Sequence, residues 1–361
     1  MIKSISQWAL ASLAAVGVVL VLGAAAPVQA QTYQMQVYGA WHCTQDYCTW
    51  GTAENMTTFD QQNHWLIDRG NGQPSVNLVV LSFVNPLKLL DGTTDATDSD
   101  GVPLGMNTSV VSYFESKGVR VMLAIGGSTY TTYWDQALAA NPTQLGLNAA
   151  NLAKALNVGI EIDYENSSSP NLSGLQAFVT AYRSVNPYDA TGQNAAARLT
   201  IDLGAGDTYL SQIAAEATNN WLQDSSPVLD YANAMVVNEN TSVSKYEGYW
   251  SEHIDGYPTL GVDPLAPARL TGSFYLVGSK PIANCTNFSG SDQNTASSFV
   301  STAAPSGAGV TTGMLGLMFW AAGCQGTHTV CTFPPNTCEN GVGGGATSFN
   351  VPIPMPPLRQ Q

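Results

Sequence analysis

Residues 158–165 read Val-Gly-Ile-Glu-Ile-Asp-Tyr-Glu, a run in which acidic and apolar side chains alternate. Side chains of a β-strand point alternately to its two faces. Glu161, Asp163 and Glu165 therefore share one face of a predicted strand, and the apolar residues between them share the other. An apolar face that packs on helices would leave the acidic face lining an enclosed interior. That arrangement is typical of a strand in a closed α/β barrel.

Seven further short apolar runs surround this segment, and several are nearly continuous, as expected for parallel strands buried on both faces. The eight predicted strands cover residues 36–41, 77–84, 119–125, 158–163, 198–203, 232–237, 270–277 and 314–320. The predicted helices between them include residues 133–156, 172–185 and 209–222. Residues 91–106 are predicted as a long surface loop after the second strand, and residues 238–267 as another insertion.

Eight strands that alternate with helices predict either a (β/α)8 TIM barrel or a doubly wound sheet. The count of eight favours the barrel, and no Gly-rich phosphate loop follows the first strand. A chain of 361 residues suits one such barrel with insertions. The tail at residues 341–361 is Gly-rich and then Pro-rich, which predicts a flexible end.

The first thirty residues predict a secretory signal peptide. Lys3 gives a positive start, an apolar run covers residues 8–26, and small residues at 28–30 match a cleavage site. The alternative is an uncleaved membrane anchor, because the run approaches spanning length. Pro27 closes the run and no basic stop-transfer cluster follows. We therefore expect cleavage near Ala30 and a secreted protein, extracellular or periplasmic.

The charge balance argues against two classes of partner. Cleavage at Ala30 removes one of the 12 Lys and Arg and leaves 11 against 26 Asp and Glu, a formal charge of −15. Nucleic acids and anionic membrane surfaces are bound by basic patches, so we expect neither as a partner of the cleaved chain. The alternative explanation of the negative net charge is that it serves only the solubility of the protein. We expect a monomer.

The six cysteines fit an oxidising compartment. Cys43 and Cys48 are close enough to close one loop, and one plausible pairing joins two of the three C-terminal cysteines and leaves the third for Cys285. The C-terminal three are Cys324, Cys331 and Cys338. No CxxC pair occurs and the four histidines form no cluster with ligand spacing, so we expect no metal and no cofactor.

The acidic face carries the predicted chemistry. Three carboxylates about 7 Å apart along one buried face cannot all stay ionised without a large cost in free energy. Burial and like charge raise the pKa of at least one, and a carboxyl that keeps its proton near neutral pH can act as a general acid. Glu165 lies nearest the predicted mouth, so we predict it as the proton donor and Asp163 as its partner. The alternative is an exposed strand with a solvated acidic face.

The same segment resembles the motif DGxDxDxE of glycoside hydrolase family 18, the chitinase family. Residues 123–127, Leu-Ala-Ile-Gly-Gly, resemble the family's SxGG strand. Residues 37–41, Val-Tyr-Gly-Ala-Trp, resemble its first strand, and residues 316–320, Gly-Leu-Met-Phe-Trp, resemble its last. The resemblance covers nearly all of the chain after the signal segment and implies a catalytic TIM barrel over residues 31–340.

This resemblance implies a secreted hydrolase that cleaves β-1,4 bonds next to N-acetylglucosamine in chitin or chito-oligosaccharides. It implies a retaining mechanism in which the substrate's own N-acetyl oxygen is the nucleophile. Glu165 would protonate the leaving oxygen and later deprotonate water, and Asp163 would hold the acetamide N–H. Trp320 would form the floor under the sugar, because the C–H faces of sugars pack on aromatic rings. Glu161, Met235, Asn238 and Trp41 are the further substrate-binding candidates.

The chain departs from the family pattern at several positions. Val158 and Glu161 replace the first two Asp residues of the acidic motif, and Ala124 replaces the Ser of SxGG. Residues 235–238, Met-Val-Val-Asn, replace the Met-x-Tyr-Asp of the sixth strand. Asn238 retains hydrogen-bonding capacity at the last of these positions. A replacement tyrosine would have to come from elsewhere, with Tyr246 and Tyr249 as candidates.

Two other functions share this barrel. One is a non-catalytic glycan-binding protein, which the departures from the motif favour and the retained Asp163 and Glu165 oppose. The other is an endo-β-N-acetylglucosaminidase that acts on glycoproteins, which shares the mechanism and differs in the shape of the cleft. In each case the partner is a glycan that contains N-acetylglucosamine. Further tryptophans, Trp50, Trp134 and Trp250, are candidates to line a glycan cleft together with Trp41.

Overall fold

A computed structural model describes residues 33, 35–43, 50–68, 72–236, 242–275, 290–308 and 312–322. These residues all belong to the second of the two units into which the chain divides, residues 33–361. The predicted signal peptide and the predicted C-terminal tail lie outside the described residues. Among the described residues, no helix is both long and apolar enough to cross a membrane.

The eight predicted strands form one closed parallel barrel, which confirms the predicted (β/α)8 fold. Each strand pairs with its neighbours in chain order, and the last strand closes on the first. The strands are β1 Val37–His42, β2 Leu78–Val84, β3 Arg120–Gly126, β4 Gly159–Asp163, β5 Leu199–Gly204, β6 Ala232–Met235, β7 Leu270–Tyr275 and β8 Gly316–Ala322. Residues 237, 276 and 277, which were predicted to extend β6 and β7, lie outside the described residues.

The interior of the barrel has an apolar half and a polar half. Strands β8, β1, β2 and β3 contribute the apolar side chains Val37, Trp41, Leu78, Val80, Met122, Ala124 and Met318. Strands β4 to β7 contribute the buried polar side chains Glu161, Asp163, Thr200, Asp202, Asn233, Thr271 and Ser273. On β4 the alternate residues Ile160 and Ile162 belong to the core between strands and helices, as the alternation predicted. The polar half therefore marks the side of the barrel where chemistry can occur.

Helices surround the barrel. They are α1 Met56–Ile67, α2 Pro86–Asp91, α3 Thr108–Glu115, α4 Thr131–Ala140, α5 Pro142–Leu156, α6 Leu172–Val185, α7 Ser211–Glu216, α8 Val243–Ile254 and α9 Gly290–Thr302. The prediction for residues 172–185 is confirmed to the residue. The helix predicted over 209–222 is confirmed in its central part, where α7 continues as a π-helical turn, Ala217–Trp221.

The single helix predicted over residues 133–156 is wrong, because the chain forms two helices there. Asn141 ends α4 and caps α5, where its side chain accepts a hydrogen bond from the Gln144 amide. Pro142 occupies the first turn of α5, a position at which the missing N–H has no helical partner. The Asn-Pro pair therefore separates two helices that composition alone merges.

The stretch predicted as an insertion at residues 238–267 contains helix α8, Val243–Ile254. Residues 237–241 lie outside the described residues, and α8 follows them. Tyr246 and Trp250 of α8 are fully buried against Phe274 of β7. Gly272 of β7 makes this packing possible, since a Cβ there would lie 2.5 Å from the Trp250 ring. The aromatic residues of this segment thus complete the helix layer. The other predicted loop, residues 91–106, carries a short hairpin formed by Asp98–Ser99 and Val102–Pro103.

Candidate active site

The ends of β3 and β4 are held against each other at the mouth of the barrel by two glycines and a tryptophan. The Gly127 amide donates a hydrogen bond of 3.0 Å to the backbone oxygen of Asp163. The indole Nε1 of Trp134 donates to the same oxygen, also at 3.0 Å. Gly126 has a φ of +121°, and a Cβ on it would lie 1.8 Å from that oxygen. Glycine is therefore required here so that β3 can approach the end of β4 closely.

Helix α4 fixes the residues that flank Glu165. Tyr164 donates a hydrogen bond from its hydroxyl to Asp135 of α4. Asn166 donates to the same carboxylate, at 3.0 Å to Oδ1. The Tyr164 oxygen also accepts a hydrogen bond of 3.0 Å from the Asn171 amide at the start of α6. Because both neighbours of Glu165 are tethered, its side chain is held over the mouth of the barrel.

Glu165 and Asp163 form a hydrogen-bonded pair of carboxyl groups. Asp163 is 3% exposed, whereas Glu165 is partly buried and receives a hydrogen bond from the Ser128 amide. The Oδ1 atom of Asp163 is buried and has no hydrogen-bond partner in the described part of the chain. The pair therefore consists of the Glu165 carboxyl at the mouth and, behind it, the Asp163 carboxyl with one acceptor atom that has no partner.

Burial raises the pKa of both carboxyl groups. The pKa of Glu165 rises to about 7 because of burial, against the opposing effects of the Ser128 amide and the hydrogen bond with Asp163. The pKa of Asp163 is raised well above its usual range by burial, by the charges of Glu165 and Glu161, and by the hydrogen bond with Glu165. A proton is therefore held between the two groups near neutral pH, as general-acid chemistry requires.

Glu161 lies one step deeper on the same face and is fully buried. Its Oε1 accepts a hydrogen bond of 2.5 Å from Trp41 Nε1. Its Oε2 accepts from Thr200 Oγ1 at 3.1 Å and from Asn233 Nδ2 at 2.5 Å. Ala124 is the register partner of Glu161 on β3 and provides no hydroxyl, so donors from β1, β5 and β6 hold the carboxylate instead.

Asp202 of β5 is a site residue that the sequence analysis missed. It is 2% exposed, lines the pocket, and forms hydrogen bonds with Glu161 and with Asn233. Its pKa is raised well above the usual range by burial and by the charges of Glu161 and Asp163. The signal was present, because Thr200 and Asp202 alternate with apolar residues on β5 as Glu161 and Asp163 do on β4.

The pocket over these carboxylates has a volume of about 130 Å³. Its aromatic wall consists of Trp320, which stacks on Phe83 with ring centroids 5.5 Å apart, and of Trp41, whose ring lies 6.5 Å from that of Trp320. Tyr275, at the end of β7, forms a hydrogen bond with Trp320. Burial raises the pKa of Tyr275, and the charge of the nearby Glu165 adds to this effect. An aromatic wall in the same pocket as two carboxyl groups is a suitable surface for a small polar ligand with an apolar face.

The structure brings most of the candidates together. Besides Asp163 and Glu165, the pocket is lined by Trp41, Met235 and Trp320, and Glu161 lies below it. Asn238 lies outside the described residues, so its role stays a prediction.

Other candidates are placed elsewhere. Tyr246 is buried in the helix layer, so the tyrosine in the pocket is Tyr275 instead. Trp50, Trp134 and Trp250 are fully buried in the core between strands and helices and line no cleft. Sequence spacing failed here because the aromatic residues that follow a strand pack outward as readily as inward.

The described residues include only one of the six cysteines, so they test the cysteine and metal predictions only in part. Cys43 is fully buried, but the other five cysteines lie outside the described residues, so their pairing stays a prediction. Among the residues that the structure describes, no group of three or more His, Cys, Asp and Glu side chains could hold a metal ion.

No protein-family model matches the chain, and no curated protein matches it. Solved structures do match. A GH18 chitinase from Pseudoalteromonas aurantia superposes with a TM-score of 0.53 at 12% identity, over 79% of this chain and 93% of that one. A chitinase from Bacteroides thetaiotaomicron gives a TM-score of 0.47 at 13% identity, over 87% and 97%. A chitinase from Rhizomucor miehei gives a TM-score of 0.47 at 14% identity, over 78% and 93%.

At identities of 12–14% the likeness concerns the fold alone. The conclusion rests on the superposition with the Pseudoalteromonas aurantia structure, which has a TM-score of 0.53. The closed eight-stranded barrel of this chain is consistent with that likeness. The chain has the (β/α)8 barrel fold of the glycoside hydrolase family 18 chitinases.

Proposed function

We propose that the chain is a glycoside hydrolase that cleaves β-1,4 bonds next to N-acetylglucosamine in chitin or chito-oligosaccharides. The observation that carries the proposal is the hydrogen-bonded Glu165–Asp163 pair at the mouth of a chitinase-type barrel, beside an aromatic wall. In this proposal Glu165 is the general acid that protonates the leaving oxygen, and it later takes a proton from water.

The closeness of the two carboxyl groups supports a nucleophile that comes from the substrate. In glycosidases with an enzymic nucleophile the two carboxyl groups stand about 5 Å apart, one on each side of the bond, and about 6.5–9.5 Å apart in inverting enzymes. Asp163 and Glu165 share a hydrogen bond, so a sugar ring cannot fit between them. An acetamido oxygen of the substrate then provides the attack with retention of configuration.

Asp163 has the properties needed to guide that acetamido group. Its buried Oδ1 has no partner among the described residues, and an unsatisfied buried acceptor carries a free-energy cost that a new donor would remove. The N–H of a 2-acetamido group would provide this donor. The same contact would stabilise the positive charge of the cyclic intermediate that forms when the acetamido oxygen attacks. Trp320 would support the ring from the opposite wall.

The acetamido group is expected to be essential for turnover. A fluorogenic chitobioside should be hydrolysed, and the cellobioside with the same leaving group should react at least about a thousandfold more slowly, because it lacks the attacking oxygen. Initial rates of fluorophore release measure both. Equal rates on the two substrates would contradict the substrate-assisted mechanism. Binding of chito-oligosaccharide without turnover of either substrate would instead favour a non-catalytic glycan-binding protein.

The pH dependence should show a limb near neutral pH. Burial raises the pKa of Glu165 to about 7, and the general acid must be protonated to act. We therefore expect kcat/KM to fall as the pH rises through about 7, by about tenfold per pH unit on the alkaline side. The measurement is kcat/KM on the chitobioside across a pH series, with folding checked by circular dichroism. A profile that stays flat up to pH 9 would exclude Glu165 as the acid.

We also propose that the protein acts outside the cytoplasm, either in the extracellular space or in the periplasm, as a monomer. The support is the N-terminal segment, in which an apolar run precedes small residues at 28–30. N-terminal sequencing of the protein recovered from its native host tests cleavage near Ala30. An intact start at Met1 would contradict it.

A further inference from the structure

Below the proposed catalytic pair lies a second pair of buried carboxyl groups, joined by one amide. Asn233 Nδ2 donates one hydrogen bond to Glu161 Oε2 at 2.5 Å and another to Asp202 Oδ1 at 2.9 Å. Thr271 Oγ1 donates to Asn233 Oδ1 at 2.5 Å, which fixes the orientation of the amide. Glu161 and Asp202 are also hydrogen-bonded to each other, so one of them must hold a proton.

Hydrogen-bond donors are divided unequally between the two carboxyl groups. Glu161 receives hydrogen bonds from Trp41, Thr200 and Asn233. In the described part of the chain, Asp202 receives a hydrogen bond from Asn233 alone. An ionised carboxylate has about four acceptor sites, so three donors stabilise the charge on Glu161 much more than one donor stabilises it on Asp202. The proton therefore belongs on Asp202, from which it is donated to Glu161.

We propose that Asp202 is a positioning residue that stays protonated and, together with Asn233, holds Glu161 as a fixed anion beneath Asp163. Burial raises the pKa of both groups, and it raises that of Asp202 well above its usual range, with the charges of Glu161 and Asp163 adding to the effect. Hydrogen bonds with Trp41, Asp202, Thr200 and Asn233 act in the opposite direction on the pKa of Glu161 and favour its anion.

The inference rests on the proposed function for its catalytic consequence. A fixed negative charge on Glu161 opposes ionisation of Asp163, which lies two residues further along the same strand. Asp163 consequently keeps its proton and donates a hydrogen bond to Glu165. The lower pair thus maintains the protonation state of the upper pair.

The surroundings of Asp202 are acidic. Glu161 and Asp163 face it from β4, whereas Asn233 on β6 is neutral. Glu165 interacts with Asp163, and Tyr231, immediately before β6, interacts with Glu161. The groups that shift the pKa of Asp202 are the acidic Glu161 and Asp163 and the neutral Asn233.

Infrared spectroscopy tests the protonation state without any need for turnover. The difference spectrum of wild type minus Asp202→Asn at neutral pH should contain the carbonyl stretching band of one protonated carboxylic acid. If the difference shows only the loss of a carboxylate band, Asp202 is ionised and the inference is overturned. This result is independent of whether chitobiosides are hydrolysed, so a failure of the proposed function is distinguished from a failure of the inference.

Two substitutions test the positioning role. Asp202→Asn still offers an N–H to Glu161 and should retain kcat/KM within about fivefold of wild type. Asp202→Val has a similar shape and no donor, so kcat/KM should fall about 10- to 100-fold. In the Val variant, the fall of kcat/KM on the acidic side of the pH profile should move to higher pH by about one unit. The reason is that Glu161 with one donor fewer binds a proton more readily.

Thermal unfolding of both variants separates this effect from misfolding. If the Val variant does not fold, the kcat/KM of the Asn variant tests the inference by itself. The inference is overturned if the folded Asn variant is as impaired as the Val variant. It is also overturned if the Val variant keeps the activity and pH profile of wild type.

Discussion

Glu165→Gln is expected to lower kcat on a fluorogenic chitobioside by about a thousandfold. General-acid assistance typically contributes about 10²–10⁴ in rate, and a glutamine has no proton to give at this position. The substitution preserves shape and leaves an oxygen to accept the Ser128 amide hydrogen bond, so the mouth of the barrel should keep its form. Affinity for chito-oligosaccharides, measured by calorimetry, should change little.

The leaving group provides a sharper test of the role. A dinitrophenyl glycoside departs without protonation, so Glu165→Gln should impair its cleavage much less than that of a poor leaving group. Glu115→Gln is the matched control, because Glu115 is an exposed residue of α3 outside the pocket and its substitution removes the same charge. We expect wild-type rates from the control. Wild-type rates from Glu165→Gln on both substrates would refute the assignment of the acid.

Gly126→Ala is expected to destabilise the barrel by about 3 kcal/mol or more. The new Cβ would lie 1.8 Å from the backbone oxygen of Asp163 and 2.3 Å from Nε1 of Trp134. The first of these atoms belongs to the backbone at the end of β4, so it cannot rotate away as a side chain could. The φ of +121° adds strain for any residue with a side chain. Relief requires that β3 and β4 separate at the mouth, which would also displace Asp163 and Glu165.

Chemical denaturation monitored by tryptophan fluorescence measures this effect. Gly248→Ala is the control, since a Cβ on Gly248 of the exposed face of α8 meets nothing within 4 Å. Alanine in a helix interior should stabilise the protein by about 0.5–1 kcal/mol. A Gly126→Ala protein as stable as wild type would show that the ends of β3 and β4 are not packed as described.

The strands could be predicted because each is a short apolar run that periodicity reveals locally. Helix boundaries were harder to predict, since the break at Asn141 depends on one capping side chain and one proline within a helix-forming composition. The identification of Glu165 and Asp163 as a pair followed from alternation on a single strand. Asp202 and Tyr275 were missed because their importance depends on neighbours from other strands, which a linear pattern does not bring together.

The amino-acid sequence by itself determined which side chains share a face of each strand, because alternation along an extended backbone is a local property. It therefore determined the acidic face of β4 and the eightfold repeat that implies a closed barrel. Tertiary structure alone decided which faces meet. Barrel closure places Trp41 of β1, Thr200 of β5 and Asn233 of β6 around Glu161, and a carboxylate keeps its charge in a buried interior only where such donors converge.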